Sequence, residues 1–137
     1  MLLYQSENVG KGPACRSRRH GIGFTVGAHL HEYTELLWVT EGKMTMLLQG
    51  KIYHVPCGSV AFVFPNQVHE YTDRTPCTCF CAVFSEDLLH PFFLLYPHRV
   101  PADPVVDFSD HMAWLEAFAT CEPGNTLEQA GLLQLIF

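Results

Sequence analysis

The sequence predicts a mainly β domain, an antiparallel sandwich or barrel over residues 21–84, followed by two α-helices. Three observations carry this expectation. From Gly21 to Phe84 short apolar runs are punctuated by turn residues, the texture of antiparallel strands. The turn signals recur about every 8–12 residues, as in sandwiches and barrels. Beyond a proline-bearing stretch, the apolar residues change to helical spacing.

Taken in order, residues 1–20 read as an N-terminal arm whose short basic cluster, Arg16, Arg18 and Arg19, is a solvated charge run. Leu36–Thr40 is a strand closed by Glu41-Gly42. Met44–Leu48 and Ile52–Val55 form a hairpin about Gln49-Gly50, and Pro56-Cys57-Gly58 turns into the strand Ser59–Phe64. Pro65-Asn66-Gln67 turns again, into Val68–Thr72 and then Cys77–Phe84. Leu36–Val39 and Val60–Phe64 are apolar at successive positions. One face of these strands must fill the barrel, and the other must be covered by a second sheet, a helix or a partner chain.

Residues 85–106, with Pro91, Pro97, Pro101 and Pro104, read as an irregular connection. Residues 107–137 form a helical segment. In its first helix Phe108, Met112, Leu115, Phe118 and Ala119 share a stripe, Asp107 or Ser109 is the expected N-cap, and Pro123-Gly124 ends it. Thr126-Leu-Glu-Gln129 has the form of a capping box and opens a second helix, Leu127 to Phe137. That helix stops in an apolar run, whereas chain ends are usually frayed and polar, so the chain is expected to continue in a longer protein. The sequence holds no internal repeat.

A length of 137 residues suits one domain with a hydrophobic core. A net charge of −6 argues against direct nucleic-acid binding, which requires excess Lys and Arg to replace phosphate counterions. No uncharged apolar run reaches membrane-spanning length, and Met1–His20 lacks the apolar centre of a signal peptide. Six cysteines without an expected export signal fit a reducing cytoplasm better than a disulfide framework. Cys77, Cys79 and Cys81 alternate along one strand and share a face, where thiols act as small apolar groups.

The stretch richest in chemistry is Gly23-x5-His29-x-His31-x3-Glu35-x6-Gly42. Histidines at i and i+2 on a strand project to one face, about 6–7 Å apart at the backbone, within reach of a common ion. Glu32-Tyr33-Thr34 suffices for a turn that brings Glu35 alongside, above an apolar floor of Leu37 and Val39. His69, opening a later strand, is the candidate fourth ligand. Three neutral nitrogens and a carboxylate suit Zn, Ni, Fe(II) or Mn. The alternative is a buried polar cluster, satisfied internally or by an organic ligand without metal. His20, His54, His90, His98 and His111 read as surface or capping residues.

These spacings resemble the two motifs of the cupin superfamily. Gly23, His29, His31, Glu35 and Gly42 match the first in full. Gly58, Pro65 and His69 match the second loosely, with the proline displaced, the inner Gly absent and Asp73 at the Asn position. The resemblance implies a cupin barrel (double-stranded β-helix or jelly roll) with His29, His31, Glu35 and His69 as metal ligands. A narrower resemblance rests on His29-x-His31-x-Tyr33-Thr-Glu-Leu-Leu-Trp-Val39, Glu41-Gly-Lys43, Gly50-Lys-x-Tyr53, Phe64-Pro-Asn66 and Phe84-Ser85. This run is similar to the N-terminal effector domain of AraC-type transcription regulators. It implies an arm, a barrel that binds a small-molecule effector, two helices forming a homodimer interface, and a helix-turn-helix DNA-binding domain beyond residue 137. Three functions stay in view: a non-enzymatic ligand-sensing and dimerisation domain, a metal-dependent cupin enzyme of dioxygenase, isomerase or decarboxylase type, and a metal-sensing or storage domain. Tyr33, Tyr53, Tyr71 and Glu41 are the only further acid–base candidates the enzyme reading finds. The sensor is the expectation.

Overall fold

The computed structural model describes residues 3–4, 14–21, 25–72, 75–122 and 124–137, with side chains from residue 25 onward. Ten described strands form two five-stranded sheets. The first sheet holds, in spatial order, β1 (Leu3–Tyr4), β3 (Thr25–Leu30), β8 (His69–Thr72), β5 (Lys43–Leu48) and β6 (Lys51–Pro56). The second holds β10 (Val105–Asp107), β7 (Ser59–Val63), β4 (Thr34–Glu41), β9 (Cys77–Phe84) and β2 (Ala14–Gly21). All pairings are antiparallel except β1 with β3. Apart from the β5–β6 hairpin and the step from β9 to β10, consecutive strands cross between the sheets, as in a jelly roll.

The turns follow from local chemistry. Gly42, Gly50 and Gly58 all have positive φ, which glycine adopts without steric cost. Gly42 is the most constrained, because a Cβ there would lie 2.2 Å from the Pro76 carbonyl oxygen. The first motif thus ends on glycine for a steric reason.

Strand alternation sorts the apolar residues into two cores. Leu37, Val39, Ala61, Val63, Cys77 and Cys79 face Met44, Met46, Leu48, Val55 and Tyr71 across the barrel interior. On the opposite face of the second sheet, Leu36, Trp38, Val60, Phe62, Phe80 and Phe84 form a second core. Helices cover it: α1 (His90–Leu95), α2 (Met112–Thr120) and α3 (Thr126–Ile136). Leu115 and Phe118 of α2 and Leu133 and Ile136 of α3 are buried against this face. Of the three expected ways to cover the outer face, a helical layer of the same chain is the one used. Cys77 and Cys79 are buried on the interior side as expected, and Cys81 is half-buried beside them.

Several boundaries differ from the sequence reading. The arm of residues 1–20 contributes β1 and β2, and β2 pairs along its whole length with β9, so Arg16, Arg18 and Arg19 lie on a sheet strand. Long-range pairing decides this, and the segment lacks the apolar alternation that announces a strand. The connection 85–106 holds a 3-10 turn, Glu86–Leu89, as well as α1 and the start of β10. Pro91 sits in the first turn of α1, where its missing N–H costs nothing. Asp107 closes β10, and its carboxylate accepts from the Ser109 backbone N–H just before the 3-10 turn Ser109–His111, while the N-cap of α2 is His111 with no side-chain cap. Met112 is exposed instead of joining the buried stripe. For α3 the cap is Asn125, one residue earlier than expected: its Oδ1 accepts from Glu128 N–H, and its Nδ2 donates to Glu128 Oε2. No helix is long and apolar enough to cross a membrane. Gly23 and Asp73 lie outside the described residues.

Candidate metal centre

The four sequence-predicted ligands come together at one end of the barrel interior. His29 on β3 stands directly opposite His69 on β8, and a register shift between Val26 and His29 marks a bulge just before the first ligand. Bulges re-aim side chains in this way near sites. His31 follows β3, and the short turn after it carries the chain across to β4. There Glu35 sits on the central strand of the opposite sheet, paired with Val63 on one side and Val83 on the other. One residue of β3, one just beyond its end, one of the neighbouring strand β8 and one from the facing sheet thus converge.

One ligand atom from each of His29, His31, Glu35 and His69 lies within 4.8 Å of the others, and all four residues are buried. Ring centroids are 4.1 Å apart for His29 and His69, 5.0 Å for His31 and His69, and 5.7 Å for His29 and His31.

Each imidazole is held the same way. The Nδ1 of His29 lies 2.8 Å from the Gly27 carbonyl, that of His31 3.0 Å from the Tyr33 carbonyl, and that of His69 2.9 Å from the Gln67 carbonyl. A carbonyl only accepts, so each Nδ1 carries a proton, and a ring holding that single proton presents the lone pair of Nε2 inward. Backbone carbonyls that fix the tautomer in this manner are the usual support of metal-ligating histidine.

The inward lone pairs meet a carboxylate. Nε2 of His31 is 3.1 Å and Nε2 of His69 3.4 Å from Glu35 Oε2. Nε2 of His69 is buried with no hydrogen-bond partner among the described residues. Acceptors facing acceptors repel, so either a proton on an Nε2 or a shared cation is required to make the cluster attractive. A divalent metal serves all four donors at once. The residues present fit such an ion.

Burial pushes the Glu35 carboxyl up, but hydrogen bonds from the His31 and His69 imidazoles, made when Nε2 carries a proton, and from the Tyr71 hydroxyl outweigh it and hold the group well below the usual carboxylate range. Burial lowers the His29 imidazole, assisted by the neighbouring His69 and His31 and opposed by the Gly27 carbonyl and Glu35, which keeps it in the neutral form a metal needs. Tyr71 donates to Glu35 Oε1 at 2.7 Å, and burial together with the adjacent carboxylate raises its own pKa well above the ordinary value. It therefore stays protonated and orients the carboxylate.

Of the additional acid–base candidates, only Tyr71 has its side chain on the carboxylate. Tyr33 meets the site through its backbone carbonyl, its ring 6.2 Å from that of His31. Glu41 is exposed and accepts from Thr78, and the Tyr53 ring lies under Lys51. The supporting role of Tyr71 has a sequence signal, its position two residues after His69 on the same strand face. His54, His90, His98 and His111 are exposed and outside the cluster, and His111 stacks on Trp114 at 4.5 Å.

Comparison with known proteins agrees with the architecture. Solved structures similar to this chain include the Cnp3 cupin domain of Schizosaccharomyces pombe, at 7% identity and a TM-score of 0.51, over 60% of this chain and 63% of that one. A cupin superfamily protein from Desulfitobacterium hafniense matches at 11% identity and a TM-score of 0.50, over 53% and 67% of the two chains. An RmlC-like cupin from Shewanella frigidimarina matches at 19% identity and a TM-score of 0.49, over 53% of this chain and 66% of its own length, less than two thirds. At these identities the likeness is one of fold. No curated protein matches the sequence. The family model described as the AraC-like ligand binding domain matches residues 11–136, nearly the whole chain. The chain belongs to the AraC-like ligand binding domain family, on a cupin fold.

Proposed function

We propose that this chain is the ligand-sensing and dimerisation domain of a cytoplasmic AraC-type transcription regulator, and that its barrel holds a divalent transition metal on His29, His31, Glu35 and His69. The observation that carries the metal reading is the shared tautomer. Three Nδ1 protons committed to backbone carbonyls leave Nε2 as the free nitrogen of each ring, and those of His31 and His69 lie 3.1 and 3.4 Å from the Glu35 carboxylate. A bound metal would act as a Lewis acid, offering open coordination positions to an effector with an oxygen or nitrogen donor. The protein's part is to hold the imidazoles in one tautomer, to keep Glu35 ionised, and to exclude bulk water by burial.

The dimer is proposed to form through α3. Leu127 and Leu135 are 86% and 54% exposed. Gly131, one turn from each, has nothing within 4 Å of an added Cβ, so this stripe is open for a second helix. The outer face of the second sheet is covered by the chain's own helices and is no part of that interface. DNA contact belongs to a helix-turn-helix domain outside these residues, in keeping with the net charge of −6.

Elemental analysis of the purified chain, with mass spectrometry of co-purified small molecules, tests the metal and effector. About one transition metal per chain, lost in His69→Ala, is the expected result; a metal-free chain that fails to take up Zn, Ni, Fe(II) or Mn on dialysis overturns it. For the full-length protein, promoter affinity should respond to the effector. A metalloenzyme is the weaker reading, because among the described residues the one additional acid–base candidate with its side chain on the cluster, Tyr71, already donates to Glu35.

A further inference from the structure

The tip of the β5–β6 hairpin departs from what its own turn prefers. Gln49 and Gly50 both have positive φ, 50° and 80°, the pattern of a type I′ turn. Such turns favour Asn-Gly or Asp-Gly, whose short polar side chains bond locally in the left-handed region. A glutamine in that place points to a role beyond the turn. We propose that Gln49 is a positioning residue for His69, fixing the tautomer of that imidazole through the Gln67–Val68 peptide. Its effect on metal affinity rests on the metal reading above.

The connection runs through one peptide group. The side-chain Oε1 of Gln49 accepts from the Val68 N–H at 2.8 Å. The carbonyl of that same peptide, belonging to Gln67, accepts from His69 Nδ1 at 2.9 Å. In a planar trans peptide N–H and C=O point in opposite directions, so holding one aims the other. Two bonds in series also polarise each other, which makes the Gln67 carbonyl a better acceptor. In return the Gln49 backbone N–H donates to the Val68 carbonyl at 2.8 Å. Residues facing each other in an antiparallel ladder commonly exchange two backbone bonds. Here, one position beyond the pair Leu48–His69, the amide side chain supplies the acceptor of the second.

The remaining groups of the loop are tied elsewhere. Asn66 N–H donates to the His31 carbonyl at 2.8 Å, and Gln67 N–H donates to the Phe64 carbonyl at 3.2 Å. The Gln67 side-chain Oε1 accepts from Phe64 N–H at 2.8 Å. None of these bonds uses the N–H or C=O of the Gln67–Val68 peptide, whose direction is set by Gln49 on one side and His69 on the other. Gln49 is exposed and Val68 half-buried, whereas His69 is only 1% exposed, so a surface side chain reaches the cluster without touching it. Acceptors behind a ligating histidine govern its affinity for metal, and at His69 that support extends one bond further outward.

The test compares Gln49→Asn, Gln49→Gly and Gln49→Glu with the parent chain. Nitrogen NMR of the imidazoles is recorded without metal at about pH 8, above the ordinary histidine range. Zn(II) affinity by chelator competition and unfolding in urea accompany it. Asn-Gly and Gly-Gly suit the turn at least as well as Gln-Gly, but neither side chain reaches Val68. In both variants His69 should move toward the Nε2–H tautomer while His29 and His31 keep Nδ1–H. The urea midpoint should not fall, and Zn(II) should bind about fivefold or more weakly. Gln49→Glu retains an acceptor oxygen and should match the parent throughout. The proposal is overturned if His69 keeps its Nδ1 proton in Gln49→Asn and Gln49→Gly, or if Gln49→Glu fails to restore the His69 signature. It is equally overturned if all three imidazoles shift together with a lowered urea midpoint. A parent chain that takes up none of Zn, Ni, Fe(II) or Mn removes the metal reading alone, since the His69 tautomer is read without metal.

Discussion

The two faces of β4 make a useful contrast. Leu36 and Trp38 on one side and Glu35, Leu37 and Val39 on the other are all buried, yet the two faces do different work. The outer face is apolar apart from the buried Thr34 and packs under the chain's own helices, where ring and aliphatic contacts hold the helical layer to the sheet. The inner face begins with a carboxylate, and the barrel it lines is apolar at the centre and polar at one end. Burial alone therefore does not separate scaffold from site. The difference is that the inner face gathers nitrogen and oxygen donors around one carboxylate, which a proton or a shared cation draws together, while the outer face gathers mostly groups that water rejects.

Substitutions on the two faces should part company. Trp38→Ala leaves a large void under the helices and should cost roughly 3–5 kcal/mol in urea unfolding, while the folded fraction still binds metal. His69→Ala should do the reverse. Metal affinity should fall by roughly 100-fold or more, about 2.7 kcal/mol, as read by competition with a chromophoric chelator, while the metal-free protein keeps its fold.

Acid should act on the inner face. Glu35 and His29 both have lowered pKa values in the folded state, so the unfolded chain binds more protons as pH falls. Their stabilising contribution is complete above about 6.5 for His29 and 4.5 for Glu35, and is lost as pH falls through the lower folded values. The melting temperature of the metal-free chain should drop on acidification, and Glu35→Gln should flatten the lower part of that profile. An unchanged profile in the variant would show that the carboxylate is not the group responsible.

Two smaller effects sharpen the contrast. Tyr71→Phe removes the donor to Glu35 Oε1 and should weaken metal about tenfold with the ligands intact. Leu135→Glu, on the exposed side of α3, should change unfolding free energy by no more than about 0.5 kcal/mol yet convert dimer to monomer in sedimentation. A dimer that survives Leu135→Glu combined with Leu127→Glu would place the interface elsewhere.

Much of the site is legible in the sequence because its spacing is local. His29 and His31 are two residues apart at the end of β3, and Glu35 follows after a turn too short to lead far away. His69 is legible through the Gly58-to-His69 interval, although the structure pairs it with His29 across a ladder that spacing does not reveal. The strand β2 is not legible, since Arg16, Arg18 and Arg19 read as a solvated run and only its pairing with β9 makes the segment a strand. For α3 the error is one residue, because Asn125 and Thr126 are both good caps and the choice rests on which side chain reaches Glu128.

The sequence by itself determined the strand alternation, the glycine turns, the helical tail and the identity of four metal-type side chains, because each depends on residues close together in the chain. Tertiary structure alone decided that the outer face of the second sheet is covered by α2 and α3, that Glu35 faces the imidazoles of His29 and His69 from the opposite sheet and of His31 just beyond it, and that each imidazole commits Nδ1 to a carbonyl and leaves Nε2 inward. Those outcomes depend on packing between distant segments and on where backbone carbonyls point, which local spacing does not encode.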